Sequence, residues 1–213
     1  MKEKSNLLGA IIDEATRQFL ANGYKNLNID ELVNEIGISK ATFYKYIPSK
    51  EILFEESIRR YLEKFKKEIS KQIKQILKSN KETFFKFFIE LIRISGEFIS
   101  SISNVVNPQI EKRFPQINLK LREFTKKQIE NSFFSIVKKG REIGVIRNDI
   151  STEVLYFIIY TTLLNLKSFA ENQNKLPVDR FFFEYFYIIF NGILVEDIKP
   201  IYYKQIMAVD YEK

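Results

Sequence analysis

The chain has 213 residues, with 34 basic and 27 acidic side chains, a formal net charge of +7, and no Cys, His or Trp. The lack of Cys and His excludes disulfides, Cys/His zinc sites, Ser-His and Cys-His nucleophile pairs and an imidazole general base. Only 7 Gly and 5 Pro accompany a 45% hydrophobic content, which favours an all-α fold of long helices over a many-stranded sheet.

The chain opens with two predicted helices. Apolar residues recur at helical spacing over about 5–21, and Gly23 follows them as an αL cap. Asn28 is a typical N-cap, and Glu31 three residues later completes a variant of the capping box. These residues open a short second helix that is predicted to end at Gly37.

A third and a fourth helix follow without a long loop. Ser39 is predicted to cap a short helix over 40–47, which Pro48 ends. Ser49 is predicted to cap a much longer helix, whose apolar stripe continues to about Lys78.

The rest of the chain is also predicted to be helical. A helix over about 81–102 precedes a break over 103–118 that has room for one short helix, and a further helix covers about 118–142. The last two predicted helices cover about 151–170 and 177–195. Both are apolar almost all round, so each needs burial on two sides.

The most specific pattern is a helix-turn-helix between Asn28 and Ile47. Small and hydrogen-bonding side chains come first on its second helix, which lets that helix end enter the major groove of DNA, about 12 Å wide. Lys and Tyr further along are suited to hold phosphates. The outward-facing residues of this second helix are Ser39, Lys40, Thr42, Tyr44, Lys45 and Tyr46.

Four motifs follow one another along this part of the chain. They are Ile12-x-x-Ala15-x-x-x-Phe19-x-x-x-Gly23-Tyr24, Ile29-x-x-Leu32, Gly37-Ile38-Ser39-Lys40-Ala41-Thr42-Phe43-Tyr44-x-Tyr46 and Ser49-Lys50-Glu51-x-Leu53-Phe54. Together they resemble the N-terminal pattern of the tetracycline-repressor (TetR) family of one-component transcriptional regulators. Val33 and Ile36 stand where that family usually has a small Ala, and Ile47 stands where it usually has Phe.

The resemblance implies a domain organisation and a DNA-facing surface. A helix-turn-helix DNA-binding domain would cover 1–48, with a long linking helix from 49, and an all-helical ligand-binding and dimerisation domain would cover 49–213. Ala41 and Thr42 would lie nearest the base edges. Phosphate contacts would come from Lys50, Tyr44 and Asn28, and Lys40 could serve either way. The residues assigned to DNA are Asn28, Ser39, Lys40, Ala41, Thr42, Tyr44, Lys45, Tyr46 and Lys50.

Several polar side chains lie on apolar helix faces beyond residue 80. Buried polar groups need partners, which are either an effector or neighbouring helices and water. The aromatic and neutral lining favours an uncharged or lipophilic small molecule, and nothing in the sequence indicates a cofactor. The candidate pocket residues are Phe88, Ile92, Ser95, Thr125, Gln128, Ser132, Tyr156 and Tyr160.

Each group of charged residues can be interpreted as functional or as a solvated surface. Residues 1–50 carry 7 basic and 6 acidic groups, so the DNA interpretation depends on where Lys40, Lys45 and Lys50 point. The basic stripe on the fourth helix is interpreted as a solvated face with Glu partners. Glu90 and Glu97, the one pair spaced for metal or acid/base work, share a polar arc with Arg93, so neither a metal site nor an enzyme is predicted.

These observations lead to a homodimeric, ligand-responsive repressor that binds a palindromic double-stranded DNA operator. The dimer is predicted to form through helices 151–170 and 177–195, with a deep monomeric core as the alternative. The alternative function is a helical protein-interaction module that keeps the fold of the DNA-binding domain over 1–48, called the head below, without binding DNA. No segment has the apolar length of a membrane span or a signal peptide, so a cytoplasmic protein without a membrane partner is expected.

Overall fold

The computed structural model describes residues 2–105, 108–173 and 178–207. These residues form ten α-helices and one 3-10 turn and no β-strand, which confirms the all-α prediction. The elements are α1 (Lys2–Asn26), α2 (Ile29–Ile36), α3 (Lys40–Tyr46), α4 (Lys50–Lys78), α5 (Lys81–Val105), α6 (Pro108–Arg113), α7 (Pro115–Glu142), α8 (Thr152–Gln173), α9 (Val178–Ile193), the 3-10 turn Glu196–Ile198 and α10 (Lys199–Met207).

The predicted helix starts are confirmed where a side chain caps the helix. The Asn28 side chain accepts a hydrogen bond from the amide of Asp30 at 2.8 Å, and Ser39 accepts from the amide of Thr42 at 3.0 Å. The hydroxyl of Ser49 accepts from the amide of Ile52 at 3.2 Å at the start of α4. These caps satisfy amides that have no partner inside their own helices.

The structure differs from the sequence prediction at two places near the chain ends. Gly23 does not end α1 as an αL cap, because its φ of 76° is joined to a ψ of 169°, and the helix resumes after this kink and continues to Asn26. Helix α10 was not predicted, since its short apolar pattern carries no capping signal. Pro177, the predicted start of the last long helix, lies outside the described residues.

The chain divides into two compact units. The first consists of Met1–Lys66 and Ser101–Phe124, and the second of Lys67–Ser100 and Thr125–Lys213. The core of the first unit joins the helix-turn-helix to α6 and the start of α7, and its buried residues include Phe19, Leu32, Phe43, Phe54, Ile110 and Phe114. The functional division at residue 48 stays a prediction.

The second unit has an aromatic core. Phe88 packs edge-on against Phe190, with ring centroids 4.8 Å apart, and Tyr202 of α10 covers Phe85 and Phe190. The connection after α7 is fastened to the end of α9, because Ile146 and Leu194 form an antiparallel bridge. Helix α10 therefore completes this core.

Within the described ranges, no helix combines the length and the apolar content that crossing a membrane requires.

Ser57 is a buried polar residue of α4. Its side chain is fully buried, and its hydroxyl oxygen has no hydrogen-bond partner in the described part of the chain. An unsatisfied buried hydroxyl destabilises the folded state, so Ser57→Ala is expected to raise the free energy of unfolding by about 1 kcal/mol. Urea unfolding of the full chain measures this change.

Thr16→Val is the matched control in the same unit. The Thr16 hydroxyl donates to the carbonyl of Ile12 at 2.6 Å, so this nearly isosteric change removes a hydroxyl that has a partner. It is expected to give no gain in stability. A loss of stability in Ser57→Ala as large as that in Thr16→Val contradicts the interpretation of Ser57.

Candidate nucleic-acid interface

The buried side of α3 determines which of its residues face solvent. Phe43 is fully buried and Ile47 nearly so, and both pack in the core of the first unit with Leu32 and Val33 of α2. The turn between the helices needs a left-handed residue, which Gly37 supplies with φ 75° and ψ 36°. With one side of α3 anchored in this way, the opposite side faces solvent.

The sequence-predicted residues of α3 divide by exposure. Ser39, Lys40, Ala41, Tyr44 and Lys45 are exposed, whereas Thr42 and Tyr46 are half-buried. At the start of α3, the hydroxyl oxygens of Ser39 and Thr42 lie 2.9 Å apart and share a hydrogen bond. The structure therefore brings a small polar helix start and a more basic, aromatic helix end onto one surface.

Lys40 links the starts of α3 and α2. Its ammonium lies 2.8 Å from a carboxylate oxygen of Asp30, and the hydrogen bond to Asp30, reinforced by its charge, raises the pKa of Lys40. Both side chains are exposed. Asp30 and Glu31 already complement the positive end of α2, so Lys40 offsets acidic charge where Asn28 is predicted to meet phosphate.

Lys45 and Tyr44 present different groups to solvent. Within the described residues, Lys45 forms no hydrogen bond or ion pair and is exposed. The Tyr44 ring is edge-on to Phe43, with centroids 5.1 Å apart, and 46% of the residue is exposed. Lys45 is therefore the cation of α3 that can approach an anion without giving up a partner.

Lys50 has a different environment from the other predicted contacts. Its ammonium donates to the carbonyls of Leu27 at 2.6 Å and of Lys25 at 3.3 Å. It also lies 4.9 Å from the centre of the Tyr24 ring. This side chain is therefore directed into the connection between α1 and α2, and its burial there lowers the pKa of Lys50.

Tyr24 is the centre of a cluster that the sequence patterns did not indicate. Its hydroxyl donates to Glu51 at 2.9 Å, and Arg113 donates to the same carboxylate oxygen at 2.6 Å. The Arg113 guanidinium also lies 5.1 Å from the Tyr24 ring centre. Glu51 belongs to the fourth motif, but Arg113 lies in the segment predicted as a break, where no spacing rule connects it to Glu51.

The cluster shifts two pKa values. Hydrogen bonds from its own backbone amide, from Tyr24 and from Arg113 lower the pKa of Glu51 to about 2. Burial, followed by the hydrogen bond to Glu51, raises the pKa of Tyr24 to about 12. At neutral pH the carboxylate is therefore charged and the phenol is protonated, which is the state that their hydrogen bond requires.

The predicted pocket residues all lie in the second unit. Phe88 and Ile92 are buried in its core, and Tyr156 is stacked on Tyr160 with centroids 5.3 Å apart. The hydroxyl of Ser95 donates to the carbonyl of Leu91 at 2.8 Å, and that of Ser132 to the carbonyl of Gln128 at 2.7 Å. Both hydroxyls are thus satisfied within their own helices, and Thr125 and Gln128 are half-buried.

Some charged groups of α4 and α5 form ion pairs within their own helix. Arg59 bridges Glu56 and Glu63 on α4. Arg93 bonds both Glu90 and Glu97, and its hydrogen bond lowers the pKa of Glu90. In the part of the chain that the structure describes, no cluster of three or more acidic residues is arranged to hold a metal ion.

Comparison with known proteins supports the interpretation of the first unit. Residues 11–57 match the model of bacterial regulatory proteins, tetR family. The uncharacterised HTH-type transcriptional regulator YuxN of Bacillus subtilis (strain 168) is 41% identical over 64 residues. That match covers 30% of this chain and only 21% of YuxN, so it spans about a fifth of that relative.

Two longer matches extend over most of the chain. The HTH-type transcriptional repressor DhaR of Mycobacterium sp. (strain GP1) is 22% identical over 175 residues, which cover 80% of this chain and 86% of DhaR. The crystal structure of a TetR transcription regulator from Haloarcula marismortui has the same fold, with a TM-score of 0.64 and 15% identity. That likeness covers 90% of this chain and all of the other chain.

The Glu51 carboxylate generates a pH-dependent prediction. A carboxylate with a lowered pKa stabilises the fold above its ordinary pKa, and this contribution is lost as pH falls towards the lowered value. Glu51→Gln is therefore expected to lower the free energy of unfolding at pH 7 by about 1 kcal/mol, since the side chain is partly exposed and solvent screens its charge. This difference from the wild type should shrink between pH 4.5 and about pH 2.

Urea unfolding at pH 7 and pH 3 measures both effects. Glu63→Gln is the control, because it removes an exposed ion pair within a single helix, and little change is expected at either pH. A deficit in Glu51→Gln that persists undiminished at the acid end contradicts the prediction.

Proposed function

Because this chain belongs to the TetR family of DNA-binding transcriptional regulators, we propose that it is a repressor that binds a palindromic operator as a homodimer. A small neutral or lipophilic effector releases it from DNA. The outward surface of α3, with Lys45 as its unpaired cation, is the observation that carries this proposal. The named repressor function of DhaR, which matches over most of its length, supports the direction of regulation.

The proposal assigns base recognition to the start of α3 and phosphate contacts to its flanks. Ala41 and Thr42 are small enough for the helix end to approach base edges in the major groove. Lys45 and Tyr44 are exposed further along the helix, where they are suited to hold phosphates. Because the first fifty residues carry nearly balanced charge, local placement of these groups matters more than net charge.

We propose that Lys40 has a role both in the free protein and in the DNA complex. Without DNA it pairs with Asp30. Next to a phosphate, the exposed ammonium has further donors to offer, and it keeps the Asp30 carboxylate from repelling the DNA backbone. The ion pair thus holds Lys40 near the helix start without a large cost, since exposed pairs contribute little free energy.

Dimer formation is proposed through α8 and α9. Phe157 is 65% exposed and Ile188 is 69% exposed, and Val154 is also exposed. On the same helices, Leu155 and Phe190 are buried in the core of the second unit. Helices with apolar residues on both sides support burial of the exposed side against a second copy, whose head reaches the second half-site about 34–36 Å away.

The effector is proposed to bind in the second unit, among Phe88, Ile92, Ser95, Thr125, Gln128, Ser132, Tyr156 and Tyr160. Their aromatic and neutral-polar character supports an uncharged or lipophilic ligand. The ligand acts by favouring a conformation of the dimer in which the two heads no longer fit successive half-sites.

Two α3 variants test DNA recognition. Thr42→Ala and Lys45→Ala are each expected to weaken binding about tenfold, since each removes roughly 1–3 kcal/mol of contact. Fluorescence anisotropy measures this with a duplex that the wild-type protein selects from random-sequence DNA. The melting temperature should stay unchanged, because neither side chain belongs to the core of the first unit.

Lys66→Ala, an exposed lysine on α4 away from α3, is the control and should bind as the wild type does. Unaltered affinity in both α3 variants contradicts the proposal that α3 recognises DNA. Failure of the wild type to select any duplex favours the alternative function, a helical protein-interaction module.

The dimer proposal is tested on its exposed apolar residues. Phe157→Arg and Ile188→Arg place charges where a second copy would bury them, so each is expected to shift the protein to monomer. Sedimentation equilibrium at micromolar protein measures the mass. Leu119→Arg alters another exposed apolar residue, on α7, and should leave the dimer intact; a monomeric wild type rules the proposal out.

A further inference from the structure

The start of α4 is fastened to the end of α1. The last carbonyls of a helix lack partners inside that helix. The Lys50 ammonium donates to two carbonyls at this place, those of Lys25 and Leu27. A cation that bonds such carbonyls satisfies them.

We propose that Lys50 is a positioning residue of the DNA-binding head, which acts on DNA through the α1–α2 connection and does not contact phosphate. This inference rests on the proposed function, and it replaces the phosphate role that the family resemblance implies for Lys50. The Leu27 carbonyl directly precedes Asn28, the cap of α2. Lys50 therefore fixes the point in space from which the helix-turn-helix begins.

The neighbouring residue of α4 strengthens this assignment. Lys50 lies against the Tyr24 ring while Glu51 accepts the hydrogen bond of the Tyr24 hydroxyl. Two consecutive residues of α4 thus hold one side chain of α1, by its ring and by its hydroxyl. Tyr24 itself is buried between Phe19 and Phe54 of the core, so the contact reaches a rigid part of the unit.

The Lys50 ammonium has three N–H donors, and two of them bond the carbonyls of Lys25 and Leu27. Because the ammonium also lies 4.9 Å from the centre of the Tyr24 ring, a phosphate contact competes with these interactions. Hydrogen bonds from an ammonium are among the stronger ones in proteins, and the bond to Leu27 is short, at 2.6 Å. Movement of the ammonium to a phosphate leaves two carbonyls without their donor. Lys45, by contrast, has no bond in the described residues to give up, so the two lysines make a matched pair for a test.

The salt dependence of binding separates the two roles. Each phosphate that a cation neutralises contributes about 0.9 to the slope of log affinity against log salt concentration. Lys50→Gln is expected to lower affinity about tenfold with an unchanged slope, whereas Lys45→Gln lowers the slope by about 0.9. Lys50→Arg, which keeps a charged donor, should recover most of the affinity. A slope in Lys50→Gln that falls as in Lys45→Gln, or wild-type affinity in that variant, overturns the proposal.

Hydrogen exchange tests the positioning role without DNA. Loss of the Lys50 bonds should speed amide exchange in peptides that cover residues 25–32 at least severalfold in Lys50→Gln, and not in Lys45→Gln. Unchanged exchange overturns the proposal. If the wild type binds no DNA, the proposed function fails while this measurement still decides the role of Lys50.

A wild-type measurement covers the case in which Lys50→Gln does not fold. The NMR signal of the Lys50 ammonium should be protected from water exchange in the free protein, and its shift should stay the same after the selected duplex is added. The Lys45 ammonium should change its shift on the same addition. A Lys50 signal that is unprotected, or that responds to DNA as Lys45 does, contradicts the positioning role.

Discussion

A seven-residue helix does not hold its shape in water, because nucleating a helix costs more than so few hydrogen bonds return. The surface assigned to DNA recognition therefore depends on the burial of Phe43, which anchors α3 in the core of the first unit. The Ser39 cap and the left-handed Gly37 set where the helix starts and how it leaves α2. Exposure of Lys45 and Tyr44 follows from this anchoring, since they lie on the side that Phe43 leaves outward.

Tyr24 connects the helix-turn-helix to the rest of the first unit. Lys50, Glu51 and Arg113 approach that side chain from α4 and α6. Their charges are largely used in contacts within the protein, whereas Lys45 remains open to solvent. Lys45 and Lys50, which are five residues apart, therefore have different environments, and their partners distinguish them better than their charge does.

The sequence predicted those helix starts that depend on contacts between neighbouring residues. Asn28, Ser39 and Ser49 start helices because each offers an oxygen to nearby amides, and that can be read from a few neighbouring residues. The contacts of Arg113 with Glu51 join positions 62 residues apart, and no spacing rule connects them. The hydrogen bonds from Lys50 to backbone carbonyls could not be predicted either. Every residue has such a carbonyl, so the sequence does not indicate which one accepts. The DNA, effector and dimer roles stay predictions for the same reason, since each depends on a partner outside the chain.

The packing of α6 and early α7 into the first unit affects how this protein folds during synthesis. Ile110 and Phe114 close the same core as Phe19 and Phe54, so the N-terminal region cannot complete its packing when its own helices leave the ribosome. It must wait for a segment made some fifty residues later. A nascent chain cut after α4 therefore exposes the part of its aromatic core that Ile110 and Phe114 cover in the full chain.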